Sequence, residues 1–225
     1  MPKKEEMYEV PAAPSAASQE KSPSFGEAAT NGSVWMIGIA FGCYNLVVMA
    51  LCTYLPIFLQ YMGGKAAYLD KGVMQSASFL TAFIMMASIV SGPLGGFISD
   101  RSGKRKLVIL IPYILMTLTF FFPFTTTGWH IPAYMIIFGF VGGPLAPVLL
   151  ASIPEVCKRP HLIGLSMSIG ALCQNIGMFI GPALFGWILD SYGANAGAHA
   201  YVIAGYWMFP FCILGIIATL RIKVR

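Results

Sequence analysis

Six long apolar stretches alternate with short polar segments along this chain of 225 residues. Each stretch is long enough to cross about 30 Å of hydrocarbon as an α-helix, which takes roughly 20 residues. None shows the strict apolar and polar alternation that marks a strand of a membrane barrel. The pattern predicts an all-α membrane protein with six transmembrane helices, at residues 34–60, 73–99, 107–124, 131–153, 162–189 and 200–220.

The first 33 residues differ in kind from the rest of the chain. They are rich in Pro, Ala, Ser, Lys and Glu and contain few large apolar side chains, so they cannot bury enough surface to fold alone. No apolar core follows the first lysines, as it would in a cleavable signal. We therefore expect a disordered cytoplasmic tail or linker at 1–33 and a six-helix transmembrane domain at 34–225.

Basic residues fall almost entirely on one side of the predicted spans. If alternate loops lie on opposite sides, twelve of the fourteen Lys and Arg residues share one side, and only Lys65 and Lys71 lie on the other. Lys and Arg accumulate in short cytoplasmic loops, so we expect both termini to be cytoplasmic in a multi-pass protein of the plasma (inner) membrane. The basic character is then explained by topology and by contact with the lipid bilayer, and no nucleic-acid partner is needed.

A short basic turn follows the second span. A glycine precedes an Asp-Arg pair there, and a second glycine precedes three basic residues. The turn consists of Gly96, Asp100, Arg101, Gly103, Lys104, Arg105 and Lys106. The fifth span ends with the same spacing at Gly186, Asp190 and Gly193, and both spans carry a Gly-Pro pair shortly before it. Two copies in successive sets of three helices predict a 3+3 inverted repeat, although close packing through small residues would also explain the Gly-Pro pairs.

The six spans, the repeat and the basic turn together resemble one half of a major facilitator superfamily transporter. Five positions of the turn fall on the loop signature of that family, namely Gly96, Asp100, Arg101, Gly103 and Arg105. Lys104 keeps the charge of the signature but replaces its usual arginine. The resemblance covers residues 34–225, and it implies half of a twelve-helix fold that works by alternating access around a central cavity.

The fifth span makes this chain similar to the carboxyl-terminal half of the family. Residues 174–187 resemble the eleventh helix of many members, and residues 154–164 resemble the loop before that helix. The segment 1–33 would then be the linker between the two halves. One half encloses only half a cavity. We therefore expect this chain to be a fragment or split half that joins a second six-helix half, or to form a homodimer.

The resemblance also implies a gating role for the turn. Asp100 would lie near the positive N-terminal end of the fifth helix, which would stabilise its carboxylate. Arg101 would pair with Glu155 at the end of the fourth span. Such contacts would form a latch that favours the outward-open state, whereas solvated acids at the membrane edge are the simpler alternative.

Uncharged polar residues are the candidates for solute contact, because the predicted spans hold no Lys, Arg, Asp or Glu away from their ends. The candidates are Tyr44, Asn45, Tyr54, Gln174 and Asn175. Amides and phenols bind polar solutes through hydrogen bonds, but hydrogen bonds between helices are a competing role for each. Helix breakers at Pro56, Gly142, Gly143 and Pro144 are the candidate hinges.

Transmembrane transport of a small solute is the function that this pattern favours. The alternative is a non-transporting remnant, or a regulatory membrane subunit that binds a complete transporter. An intramembrane enzyme would need a buried nucleophile and base or paired aspartates, and the sequence offers neither. The five cysteines have no metal-binding spacing, so we expect no metal and no cofactor.

Overall fold

The computed structural model describes residues 29–63, 77–125, 130–157, 159–193 and 197–222. These ranges form helices joined by short turns, and the predicted tail lies almost entirely outside them. A 3₁₀ turn at Pro160–Leu162 leads into the longest helix of the second half. The α-helices are α1 (Gly32–Gly63), α2 (Ala77–Ser102), α3 (Arg105–Thr119), α4 (His130–Gly142), α5 (Leu145–Val156), α6 (Ile163–Ser191), α7 (Ala198–Tyr206) and α8 (Phe209–Arg221).

Five helical stretches within these ranges are long and apolar enough to cross a membrane. They are Gly32–Met62, Thr81–Ser102, His130–Val156, Pro160–Ser191 and Ala198–Arg221. The predicted third span is helical as α3, but its 15 residues cover only about 22 Å at 1.5 Å per residue. Turns continue from Phe120 to Thr125, because Pro123 has no N–H to donate and disfavours helix in the residue before it.

The fourth and sixth spans are each interrupted. The fourth span consists of α4 and α5, which are separated at Gly143 and Pro144, where the sequence predicts a helix break. The sixth span consists of α7 and α8, which are separated at Trp207 and Met208. By contrast, α1 continues without a break through Pro56.

The most extensive contact between helices joins α1 and α6, and glycines make it possible. A methyl group at Gly177 would overlap the carbonyl of Gly42, and one at Gly181 would overlap the carbonyl of Leu46. On α1, a methyl group at Gly42 would lie 2.7 Å from the carbonyl oxygen of Cys173. The two backbones therefore approach more closely than side chains would allow, as Gly-x-x-x-Gly contacts do in membranes.

Helices α2 and α4 meet in the same way. A methyl group at Gly139 would overlap the backbone of Ile84, and one at Gly143 would overlap the hydroxyl of Ser91. The α1 helix is the centre of the bundle, since 72% of its most apolar window is buried, against 28% for α2 and 22% for α6.

A buried tyrosine connects the third and sixth spans to this centre. The Tyr113 hydroxyl of α3 donates to the carbonyl of Ala40 on α1 across 2.9 Å. It reaches α1 past Gly215 of α8, where a side chain would collide with the Tyr113 ring. One hydrogen bond thus joins α3 to α1 across α8.

Replacing Gly177 with Ala tests the close contact of α1 and α6. The added methyl group overlaps the Gly42 carbonyl, so we expect the variant to unfold at lower temperature, with a loss of about 1–3 kcal/mol. Gly164→Ala is the matched control, because this exposed glycine on the same helix has nothing within 4 Å of the added carbon. Equal thermal unfolding of the two variants in detergent would contradict the contact.

Candidate functional site

The basic turn is built around a glycine in the left-handed conformation. Gly103 has a φ of 61°, and its N–H donates to the Ser99 carbonyl across 3.1 Å, which caps the end of α2. Only a residue without a Cβ adopts this backbone at little cost. The chain then reverses at Lys104, and α3 begins at Arg105.

Arg105 is the centre of the ionic cluster at this turn. Its guanidinium lies 2.9 Å from the Asp100 carboxylate and 3.2 Å from the Glu155 carboxylate. It also donates to the Ala151 carbonyl across 2.7 Å. The side chain is only 19% exposed, whereas those of Asp100 and Glu155 are 69% and 44% exposed. One cation therefore joins the ends of α2 and α5 to the start of α3.

The expected pairing of Arg101 with Glu155 is wrong, because Glu155 pairs with Arg105. Arg105 begins a new helix whose first turn faces α5. Arg101 belongs to the last turn of α2, on its exposed side, with its guanidinium 6.0 Å from the centre of the Phe97 ring. Both arginines belong to the same turn, so the sequence alone did not indicate which of them pairs with Glu155.

Asp100 is held by this arginine rather than by the start of the fifth span. The main packing partners of α2 in the described ranges are α1, α4 and α5, and α6 is not among them. Helix α6 begins at Ile163, close to the predicted position. The described packing of α2 therefore gives no support to the predicted contact of Asp100 with the start of α6.

Two further polar contacts at the same end were not predicted from the sequence. Lys106 donates to the carbonyl of Leu220, and so joins the start of α3 to the last turn of α8. The Asn31 amide donates to the Val156 carbonyl across 2.9 Å, and its oxygen accepts from the Ser33 N–H. An asparagine before an apolar run is a helix-start signal, but its contact with α5 depends on the fold.

The candidate solute residues do not converge on one pocket in the described structure. Asn45 is buried and Asn175 is exposed, and each amide donates to a carbonyl of its own helix, 2.9 Å and 2.8 Å away. The amide nitrogen of Gln174 lies 4.0 Å from the sulfur of Met178. These amides satisfy hydrogen bonds locally, as polar side chains in membranes commonly do.

The two candidate tyrosines lie at different depths. Tyr44 is buried, and its ring lies against Gly142 of the interrupted fourth span. Tyr54 is half-buried and stacks on Phe185 of α6, with the ring centres 4.7 Å apart. Of these two tyrosines, only Tyr54 is therefore partly accessible.

Two serine hydroxyls of α2 donate hydrogen bonds to the fourth span just before its break. Ser88 and Ser91 donate to the Gly139 carbonyl across 3.0 and 3.4 Å, and the Gly143 N–H donates to the same oxygen. Pro144 cannot donate to the carbonyl four residues earlier, so the regular ladder stops here. The sequence identified the break but not the two serines.

Comparison with known protein families assigns residues 74–223 to the Major Facilitator Superfamily. The match includes the basic turn and continues through the described end of α8. The resemblance seen in the sequence is thereby confirmed.

Curated relatives of the chain are transporters or resistance proteins. A probable galactarate/D-glucarate transporter of Escherichia coli K12 is 26% identical over 76% of this chain and 38% of its own length. The mouse lysosomal dipeptide transporter is 28% identical over 65% of this chain and 32% of its own length. A multidrug resistance protein of Proteus mirabilis is 30% identical over 68% and 37%. The chain thus spans about a third of the length of these relatives.

Replacing Arg105 with Gln tests the ionic cluster. We expect a loss of about 1–2 kcal/mol, mostly from Glu155 and Ala151, since the contact with the exposed Asp100 is screened by solvent. Arg101→Gln is the control, with an expected change below about 0.5 kcal/mol. Thermal unfolding at low and high salt measures the stability of both variants. A larger loss of stability for Arg101→Gln would contradict the central position of Arg105 in the cluster.

Proposed function

The chain belongs to the major facilitator superfamily, and on this basis we propose that it forms one six-helix half of a secondary transporter, which moves a small solute across a membrane by alternating access. The family match over residues 74–223 is the observation that carries the proposal. The relatives transport, or are named for resistance to, small organic compounds, so we propose a small organic solute as the cargo.

A 3+3 inverted repeat is the arrangement that we propose for the six spans. If the first span corresponds to the fourth and the second to the fifth, three close contacts between α1 and α6 have counterparts between the fourth span and α2. The matching pairs are Gly38–Cys173 with Gly139–Ile84, Gly42–Gly177 with Gly143–Ser88, and Leu46–Gly181 with Pro147–Gly92. The same register in both pairs of helices supports a duplication.

We propose that a second six-helix half, or a second copy of this chain, packs against α2 and α6. These are the two least buried of the five long apolar stretches in the described ranges. Phe97 of α2 is 61% exposed and Phe179 of α6 is 78% exposed. Lipid would cover part of this surface. The chain matches only about a third of the length of these relatives, and this supports a partner half.

The orientation that we propose places Arg101, Arg105 and Arg221 at the cytoplasmic surface, with both termini on that side of the plasma membrane. Basic residues in short loops favour this topology. The resemblance of the fifth span to the eleventh helix of the family supports a carboxyl-terminal half. The predicted linker at residues 1–33 would then lead from the preceding half.

The ionic cluster would serve as this half's part of the cytoplasmic gate. Arg105 fixes the ends of α2 and α5 internally, and the Asp100 side chain remains 69% exposed. That exposure leaves a carboxylate oxygen available to a helix start in the opposite half when the cytoplasmic ends are together. Breaking this contact would accompany the change to the inward-open state.

Asp100→Asn in vesicles that contain the assembled transporter tests the gate. Loss of the charge weakens a charge-assisted contact worth roughly 1.5–3 kcal/mol, so we expect solute uptake to fall by about tenfold. Ser102→Ala in the same turn should leave uptake unchanged. Unaltered uptake by Asp100→Asn would refute the gate, and absence of flux even with the unmodified chain would favour the regulatory-subunit alternative.

Pro144→Ala tests whether the break in the fourth span bends during transport. Alanine restores an N–H donor, so α4 and α5 can join into a stiffer helix. We expect the unfolding temperature to stay the same or rise while uptake falls several-fold. Pro154→Ala within α5 is the control. If uptake by Pro144→Ala matches that of the control, the break is not a hinge.

A further inference from the structure

Three tyrosines gather beside Asp190 at the end of the bundle opposite to the ionic cluster. Tyr54 and Tyr61 lie on the last turns of α1, and Tyr201 lies near the start of α7. The rings of Tyr61 and Tyr201 are stacked, with centres 6.3 Å apart. All three tyrosines are half-buried, whereas Asp190 is exposed. The group is therefore accessible from the surface of the unit.

Tyr54 connects this group to α6. Gly186 has no side chain, which leaves room for the Tyr54 hydroxyl against α6. Asp190, one turn further along α6, is close enough to Tyr54 to interact electrostatically. Tyr201 interacts in the same way with both Tyr54 and Tyr61. Ring packing and these electrostatic interactions thus place Asp190, Tyr54, Tyr61 and Tyr201 in one neighbourhood at this end of the bundle.

Buried phenylalanines form the floor beneath this polar rim. Phe58, Phe124 and Phe185 are almost fully buried. Their rings are in mutual contact, with Phe124 lying 5.3 Å from Phe58 and 5.4 Å from Phe185 between ring centres. Tyr201 packs on Phe58 at 5.2 Å. A rigid apolar base therefore holds the hydroxyls in place.

These tyrosines are not part of the aromatic belt that faces lipid at membrane surfaces. Belt residues expose their rings, and Trp187, which is 70% exposed near the end of α6, is such a residue. Tyr54, Tyr61 and Tyr201 are instead half-buried, and Tyr54 and Tyr201 pack on Phe185 and Phe58. Their arrangement needs an explanation other than anchoring.

Asp190 supplies the negative charge in the described part of this end. Lys65, Asp70 and Lys71, which the sequence places in the loop after α1 on the same side, lie outside the described residues, and the titratable residues His130 and His199 lie at the starts of α4 and α7. An ammonium group donates hydrogen bonds to carboxylate and phenolic oxygens, and the faces of tyrosine rings attract cations. An anionic solute would be repelled by Asp190.

We propose that Asp190, Tyr54, Tyr61 and Tyr201 form a binding site for the protonated amine of an organic solute. The carboxylate would accept a charge-assisted hydrogen bond, and the phenolic oxygens would accept the remaining N–H groups. The site deepens the proposed transport function by naming the class of its cargo, and it would receive the solute before the unit changes state.

Binding of three probes of similar shape to the purified full chain in detergent tests the site. The probes are 2-phenylethylammonium, 2-phenylethanol and phenylacetate, which differ in charge, and isothermal titration calorimetry measures their affinity. We expect the ammonium probe to bind most tightly and Asp190→Asn to weaken it about tenfold, as the loss of a charge-assisted hydrogen bond predicts. Tyr54→Phe should weaken it by a smaller factor.

The controls separate this site from misfolding and from nonspecific binding. Asp190→Glu keeps the charge and should retain most of the affinity, and Tyr206→Phe, on the exposed side of α7, should change nothing. Circular dichroism and size-exclusion chromatography check the fold of each variant. Equal binding of all three probes, or equal binding by wild type and Asp190→Asn, would overturn the proposal.

The same measurements distinguish this proposal from the proposed function. Equilibrium binding needs no second half, so amine binding that depends on Asp190 supports the site even if vesicles show no solute flux. Flux without any binding of the ammonium probe would overturn the amine site and leave transport standing.

Discussion

Backbone contact at glycines sets the geometry of this bundle. Lipid tails are as apolar as the side chains that face them, so burial of apolar surface drives helix association weakly, and close packing must supply the attraction. Gly42 and Gly177 bring α1 and α6 together, and Gly139 and Gly143 bring α4 close to α2. Side chains elsewhere meet their partners only because these backbones are so near. The ionic cluster and the aromatic end both depend on this spacing.

The two ends of the unit are held by different chemistry. At one end Asn31, Arg105 and Lys106 connect the ends of α1, α2, α5 and α8 through hydrogen bonds and ion pairs. At the other end aromatic rings pack against one another around Phe124. Ionic contacts can be exchanged for contacts with water or with another helix, whereas ring packing is lost only when the helices separate. The polar end is therefore the better place for a gate and the aromatic end for a fixed binding surface.

Much of the architecture could be predicted from the pattern of apolar residues, because a membrane restricts the backbone to helices of known length. The positions of the long spans, the start of α6 and the break at Gly143 and Pro144 followed from that restriction and from the chemistry of proline. The third span was predicted too long, since an apolar run to Phe124 does not reveal that Pro123 ends regular helix before the run ends. The choice between Arg101 and Arg105 as the partner of Glu155 was also beyond the sequence, because it depends on which side of two adjoining helices each side chain occupies.

By itself, the sequence determined that this is a multi-span helical membrane protein of the major facilitator superfamily, with a basic turn that contains a required glycine. Local rules suffice for these conclusions: hydropathy over roughly 20 residues, charge in short loops, and a motif of fixed spacing. Only the tertiary structure decided that Arg105 joins Asp100 to Glu155, that serines of α2 surround the break in the fourth span, and that three tyrosines meet beside Asp190. Each of these groups combines residues from different helices, and their distances are set by the packing of whole helices rather than by spacing along the chain.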